Sequence, residues 1–274
     1  MAPNERQVNK MRRESLLRLT VLSALVCLAA LPLAATNVYV ATSNGSFVNY
    51  NTATGSYTVL GTSSTELYGL GFNAGVLYAN DTNSSPNVGF YTVNPANGAL
   101  TTVGTISGST SGTGAIASPI GGGTLYYYDH SDQLFTVNPS NGAATTIGPL
   151  GFTVGGSWDI SFAPNGQLYA TSYGYFLQLD PGTGAGTLLG YSGEEMQCLI
   201  PGDGNLYGFS GTSMYSINLT DGALTFVRNT PSALGNFEAG TPFLASPTPE
   251  PGTLVLLGSS VLAAAGTLRR KFKA

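Results

Sequence analysis

Between residues 37 and 245 the chain alternates short apolar-polar runs with turns rich in Gly, Asn and Asp. Alternation with a period of two marks half-buried strands. Five turn segments share one form: Tyr50-Asn51-Thr52-Ala53-Thr54-Gly55, Val93-Asn94-Pro95-Ala96-Asn97-Gly98, Val137-Asn138-Pro139-Ser140-Asn141-Gly142, Leu179-Asp180-Pro181-Gly182-Thr183-Gly184 and Ile217-Asn218-Leu219-Thr220-Asp221-Gly222. Each lies between two strand-like runs, as Phe90–Val93 and Leu100–Val103 do around the second. Asn or Asp opens the turn, and the closing glycine supplies the positive φ that returns the chain, so each predicts a β-hairpin.

Upstream of each turn stands an apolar-tyrosine pair: Val38-Tyr39, Leu77-Tyr78, Leu125-Tyr126, Leu168-Tyr169 and Leu206-Tyr207. Four of the pairs follow a further short strand across a glycine turn, for example Leu70-Gly71-Phe72 and Ile160-Ser161-Phe162. Four short antiparallel strands repeated about every 42 residues predict the blades of a β-propeller. The first unit lacks its first strand, because Asn37-Val38-Tyr39 already reads as a second strand. The last apolar segment, Phe237–Leu244, is the candidate to supply it, pairing chain start with chain end and removing an open sheet edge. The fold expected is therefore an all-β five-bladed β-propeller over 37–245 with N-/C-terminal strand closure. An open β-solenoid is the competing architecture, and a sixth blade would need about 40 more residues.

Charge separates this body from the chain ends. The chain has 274 residues, of which 9% are charged, 37 are glycine and 2 are cysteine. Five of the ten Lys and Arg precede residue 20, four more are Arg269, Arg270, Lys271 and Lys273, and only Arg228 lies between. Twelve of the fourteen acids fall between Glu66 and Glu250, leaving residues 36–250 near a net charge of −11. Such a body offers no basic face to nucleic acid, and the residue usage is not that of a helical bundle.

The N-terminal basic cluster ends at Arg18 and precedes the apolar run Leu19–Leu33 and Ala34-Ala35. Basic, apolar and small-residue regions in that order predict a signal helix over 1–35, read by the Sec translocase and cleaved after Ala34 or Ala35. A retained anchor is the competing reading, and Met11 is an alternative start. Val26 before Cys27 does not suit lipidation.

At the other end, Pro249-Glu250-Pro251 precedes the apolar run Gly252–Leu268 and the basic cluster Arg269, Arg270, Lys271 and Lys273. A helix over that run reaches roughly 25 Å, a marginal transmembrane span, and the basic tail would stay in the cytoplasm. Motif, span and basic terminus over 246–274 resemble the PEP-CTERM sorting domain of exported bacterial proteins. That resemblance implies recognition of Pro249, Glu250 and Pro251 by an exosortase, a transpeptidase-like membrane protease. It also implies export across the inner membrane, transient anchoring, and a final place at the cell surface or outside it, in the company of extracellular polysaccharide and biofilm systems. A plain C-terminal anchor is the alternative. The Asn-Pro-x-Asn-Gly turns with Leu-Tyr strands also look like propeller repeats of exported bacterial proteins, a similarity that carries a fold and no activity.

The body offers little chemistry. His130 is the single histidine, and in Tyr128-Asp129-His130-Ser131-Asp132 it reads as a polar loop tip. No set of His and Cys suits zinc, no strained serine elbow accompanies His130, and no calcium-loop pattern occurs. Cys198 in Met196–Ile200 reads as a buried structural thiol. No cofactor, metal or catalytic residue is expected. Acids recur where first strands should begin, at Glu66, Asp159, Glu194, Glu195 and Glu238, and these positions could ring one mouth of the channel. Tyr126, Tyr127, Tyr128, Tyr173 and Tyr175 flank loops on the same face, with Trp158 beside Asp159, and aromatic rings suit sugar faces. The candidate ligand-binding mouth is thus Glu66, Asp159, Glu195, Glu238, Tyr127 and Tyr173. The reading is a non-enzymatic surface or matrix protein with extracellular polysaccharide as candidate ligand. The alternative is a secreted glycan hydrolase with two of these acids about 5 to 9.5 Å apart.

Overall fold

The computed structural model describes residues 37–81, 88–109, 111, 114–153 and 159–243. The predicted signal helix over 1–35, the sorting and membrane segment over 246–274, and Trp158 lie outside them. Among the described residues no helix is long and apolar enough to cross a membrane.

Twenty strands form five four-stranded antiparallel sheets. The first sheet holds β1 (Asn37–Thr42), β2 (Ser46–Asn51) and β3 (Tyr57–Thr62). The second holds β4 (Gly69–Asn73), β5 (Val76–Asn80), β6 (Val88–Val93) and β7 (Leu100–Ile106). The third holds β8 (Gly114–Ala117), β9 (Leu125–Asp129), β10 (Gln133–Val137) and β11 (Ala144–Pro149). The fourth holds β12 (Asp159–Phe162), β13 (Leu168–Ser172), β14 (Tyr175–Leu179) and β15 (Gly186–Tyr191). The fifth holds β16 (Cys198–Gly202), β17 (Asn205–Ser210), β18 (Ser213–Ile217) and β19 (Leu224–Asn229). A 3-10 turn, Ser232–Leu234, leads into β20 (Phe237–Pro242). This last strand pairs antiparallel with β1, Val38 opposite Pro242, and completes the first sheet. The strand predicted to close the ring does so.

The innermost strands β4, β8, β12, β16 and β20 each touch the next around a closed ring, which makes the molecule a five-bladed propeller. These strands are almost wholly buried. Small residues let them approach, and a Cβ on Gly69 would stand 2.1 Å from the Ile116 amide nitrogen of the next blade. Apolar clusters fill the wedges between blades: Tyr50, Phe209 and Phe237 lie in the wedge of the last and first, and Leu134, Ile160 and Leu177 in that of the third and fourth. The recurring tyrosine of the second strand stacks on a third-strand phenylalanine, with Tyr39–Phe47, Tyr78–Phe90 and Tyr169–Phe176 ring centroids 5.3, 5.3 and 5.1 Å apart. This is why the repeat is tyrosine-rich: each ring fills wedge volume and keeps its hydroxyl for the wet end.

The same bulge recurs in all five outer strands, because the register slips between Phe47/Val48, Phe90/Tyr91, Leu134/Phe135, Phe176/Leu177 and Met214/Tyr215. A bulge bends an edge strand and strengthens its twist, here toward the neighbouring blade. Four of the strands then carry Gly61, Gly104, Gly148 and Gly190, where a Cβ would meet the next blade's turn carbonyl at 2.0, 2.6, 2.3 and 1.8 Å. The fifth has Arg228 instead. Its guanidinium donates to the Ala53 carbonyl of the first blade, while Thr52 Oγ1 donates to Asp203 Oδ2 at 2.6 Å across the same seam. The single cation between residues 19 and 268 is thus a closure device.

Candidate functional site

Strand direction sorts the loops into two ends. Each inner strand begins at one mouth, where the second-to-third-strand loops and the blade-to-blade connections also lie. The inner hairpins, the five glycine turns, Asn37 and Pro242 lie at the other end. The acids singled out above gather at the first mouth, yet the structure uses them differently.

Asp159 opens β12 and is buried. Its carboxylate accepts the Ile160 amide at 2.8 Å and the Leu199 amide of the next blade at 2.7 Å. Burial pushes its carboxyl well above the ordinary range, and those two donors pull against this. Asp159 therefore clamps blade four to blade five rather than facing a ligand. Cys198, the first residue of β16, is fully buried against it, and burial raises the thiol. Glu194 and Glu195 are exposed in the loop before β16, and Glu194 Oε2 accepts from Ser210 Oγ at 3.3 Å.

Glu66 and Glu238 are brought together. Glu66 lies half-exposed in the loop entering β4, and Glu238 lies near the start of β20. The register of β20 against β1 slips there, Ala41 facing Ala239 and Thr42 facing Phe237, so Glu238 is the extra residue of a bulge. Phe237 thereby stays in the core against Tyr50 and Phe209. Burial, with the Glu66 carboxylate second, pushes the Glu238 carboxyl up to about 7. Glu238 in turn raises Asp159 and Cys198, so all four groups share one field at the mouth.

The tyrosines divide likewise. Tyr127 is buried with its hydroxyl walled in by Gly114 and Ser109, and burial drives its pKa upward. It is a core residue, not a lining one. Tyr128 is also buried and donates to Asp132 Oδ1 at 3.0 Å. Tyr173 is 43% exposed, at the tip of the β13–β14 hairpin. Its φ of 45°, followed by Gly174 at 82°, makes a turn whose first corner usually belongs to Asn or Gly. A bulky side chain in that conformation is strained, and such strain concentrates at functional positions. Tyr175 faces Tyr191 across the strand pair, ring centroids 5.0 Å apart, and Tyr191 is 65% exposed. Tyr173, Tyr175 and Tyr191 form an aromatic patch on the rim of blade four, at the acidic mouth. Tyr191 escaped the sequence reading because only the register of β15 brings it beside Tyr175.

His130 sits half-buried between β9 and β10, and burial lowers its pKa. Among the described residues no three His, Cys, Asp or Glu side chains stand close enough to hold one metal ion.

Comparison with known proteins adds the fold and the address. Three solved structures resemble the propeller. One is a structural genomics protein of unknown function from Bacteroides thetaiotaomicron (12% identity, TM-score 0.51), matched over 73% of this chain and 57% of that one. The second comes from work on the de novo evolutionary emergence of a symmetrical protein (20%, TM-score 0.51, 75% of this chain and 97% of that one). The third is a chain of a nidogen/laminin complex (14%, TM-score 0.51, 76% and 98%). At these identities they speak for the fold alone. No curated protein matches the chain. Residues 247–271 match the PEP-CTERM protein-sorting motif, which implies export, C-terminal membrane anchoring and processing by an exosortase. The chain is a five-bladed β-propeller that carries a PEP-CTERM sorting motif at its C-terminal end.

Proposed function

We propose that this is a non-catalytic display protein, delivered to the cell surface or extracellular matrix, whose propeller binds extracellular polysaccharide. The observation that carries the reading is the patch of Tyr173, Tyr175 and Tyr191 at the acidic mouth, the end opposite Asn37 and Pro242. Aromatic faces stack on sugar rings and their hydroxyls bond to sugar hydroxyls. The acidic body repels anionic polymers unless divalent cations bridge them. Commitment of Asp159 to two backbone amides takes one acid out of any hydrolytic pair.

The test is co-sedimentation of the full chain, in detergent micelles, with the producing cell's own polysaccharide, with and without calcium. Binding without loss of polymer length is expected. Tyr191→Ala should weaken it about fivefold or more, as loss of one stacked ring implies. Absence of binding under both conditions refutes the polysaccharide reading. A second reading, glycan hydrolysis, draws on Glu238 being held near neutrality beside Glu66, as a general acid would be. It requires new reducing ends that vanish in Glu238→Gln.

A further inference from the structure

Among the described residues Glu238 differs from every other buried acid. Asp81 accepts from the Gly89 amide and the Tyr91 hydroxyl, at 2.6 and 2.7 Å. Asp129 accepts from Ser109 Oγ at 2.7 Å and from the Ser131 and Gln133 amides. Asp132 accepts from Tyr128, and Asp159 from Ile160 and Leu199. Glu238 is 7% exposed and accepts no hydrogen bond from any described residue. Its strongest charged neighbour is another carboxylate, Glu66. Its oxygens are not among the side-chain atoms sealed from solvent, so water or a ligand at the mouth is what can pair with this poorly solvated carboxylate.

The described residues do not supply that partner. The chain has no lysine between residues 11 and 270, and Arg228 is committed to the seam with the first blade. Nor is the position accidental. Of the five pairings between an inner strand and its neighbour, only that of β20 with β1 carries a bulge, and the bulged residue is Glu238.

Resting on the polysaccharide reading above, we infer that Glu238 and Glu66 together receive a protonated primary amine of an amino sugar, so that the ligand is a glycan with free amino groups. A metal ion fits less well, since no third ligating side chain stands close enough among the described residues. An ammonium group brings three N–H donors and one positive charge, enough for two carboxylates and one further acceptor. The sugar ring carrying it would lie at the mouth that holds Tyr173 and Tyr191, and the near −11 body would draw a cationic polymer toward it.

The experiment titrates the full chain in detergent micelles at pH 7 with a glucosamine oligomer and with its N-acetylated counterpart. The glucosamine oligomer is expected to bind at least tenfold more tightly. Glu238→Gln should abolish that preference, whereas Glu194→Gln, which removes an exposed charge from the same end, should leave it. Equal affinity for both oligomers, or equal losses in the two variants, overturns the inference. Equally tight, Glu238-dependent binding of a tetralysine peptide also overturns it, in favour of a protein amine. If both oligomers bind alike and both weaken in Tyr191→Ala, the polysaccharide reading stands and only the amine site fails. If neither oligomer binds and the native polymer does not sediment, both readings fail.

Discussion

The carboxyl of Glu238 makes the stability of the propeller depend on pH in a direction opposite to that of an acid held ionised by its hydrogen bonds. Where hydrogen bonds outweigh burial, an acid holds its proton loosely in the folded state and stability falls as pH falls. Glu238 is pushed from the ordinary 4.5 up to about 7 by burial and by Glu66, so the folded chain holds this proton more tightly than the unfolded one. Folding then takes up a proton between about pH 4.5 and 7, and stability falls as pH rises through that window, levelling above it. A carboxyl moved that far carries about 3 kcal/mol, and water at the mouth trims this to about 2. Asp159 is raised as well, which adds in the same direction. The measurement is urea unfolding of the full chain in micelles at pH 5 and pH 8, followed by far-ultraviolet circular dichroism, for the wild type and Glu238→Gln. The wild type should lose about 2 kcal/mol more than the variant between the two pH values. The variant's residual slope would report Asp159, relieved of its neighbour's charge. Parallel profiles for the two proteins would show that Glu238 is solvated or paired, and the amine site would lose its basis with it.

Three further outcomes follow from the blade contacts. Gly190→Ala places a Cβ 1.8 Å from the Asp221 carbonyl oxygen, so backbone must give way and the unfolding free energy from urea titration should drop by about 1–3 kcal/mol; Gly182→Ala, in an open turn with only Asp180 Oδ1 at 3.3 Å, should stay within about 0.5 kcal/mol. Asp159→Ala strips acceptors from the Ile160 and Leu199 amides and should cost about 2–4 kcal/mol in the same assay, with Asp159→Asn milder because it keeps one acceptor. Arg228→Ala releases the Ala53 carbonyl and should cost about 1 kcal/mol, with faster amide exchange at Gly55, whose amide bonds to Asn51 within that turn.

Much of this architecture was legible because the repeat states it five times. The Asn-to-Gly turns fix the outer hairpins, the apolar-tyrosine pairs fix the second strands, and the blade left short at Asn37 called for the strand that Phe237–Pro242 supplies. The mouth was legible only in outline. Topology places Glu66, Asp159, Glu195 and Glu238 at one end, but whether a carboxylate meets amides or another carboxylate depends on contacts between blades. Asp159 finds Leu199 forty residues away, and nothing local to either residue signals it. Tyr127 and Tyr173 part company for a related reason. In a strand, one position decides which side of a blade a ring occupies, so Tyr127 turns into the wedge while Tyr173 sits beyond the strand end and stays out.

What separates scaffold from site is departure from the repeat. Four blades place glycine where outer strand meets neighbouring turn, and the fifth places Arg228, where the ring must be fastened. Four inner strands pair without interruption, and β20 bulges to turn Glu238 toward the mouth while Phe237 keeps its place in the core. Tyr173 occupies a corner that usually takes Asn or Gly, paying in backbone strain for an exposed ring. The arginine has a structural cause that accounts for it in full, since the seam is the one junction where the chain's two ends must be held. The other two have none: a serviceable propeller would have an asparagine at 173 and an apolar residue at 238. Folding alone asks for neither, and their place at the same mouth is the physical reason to look for the ligand there.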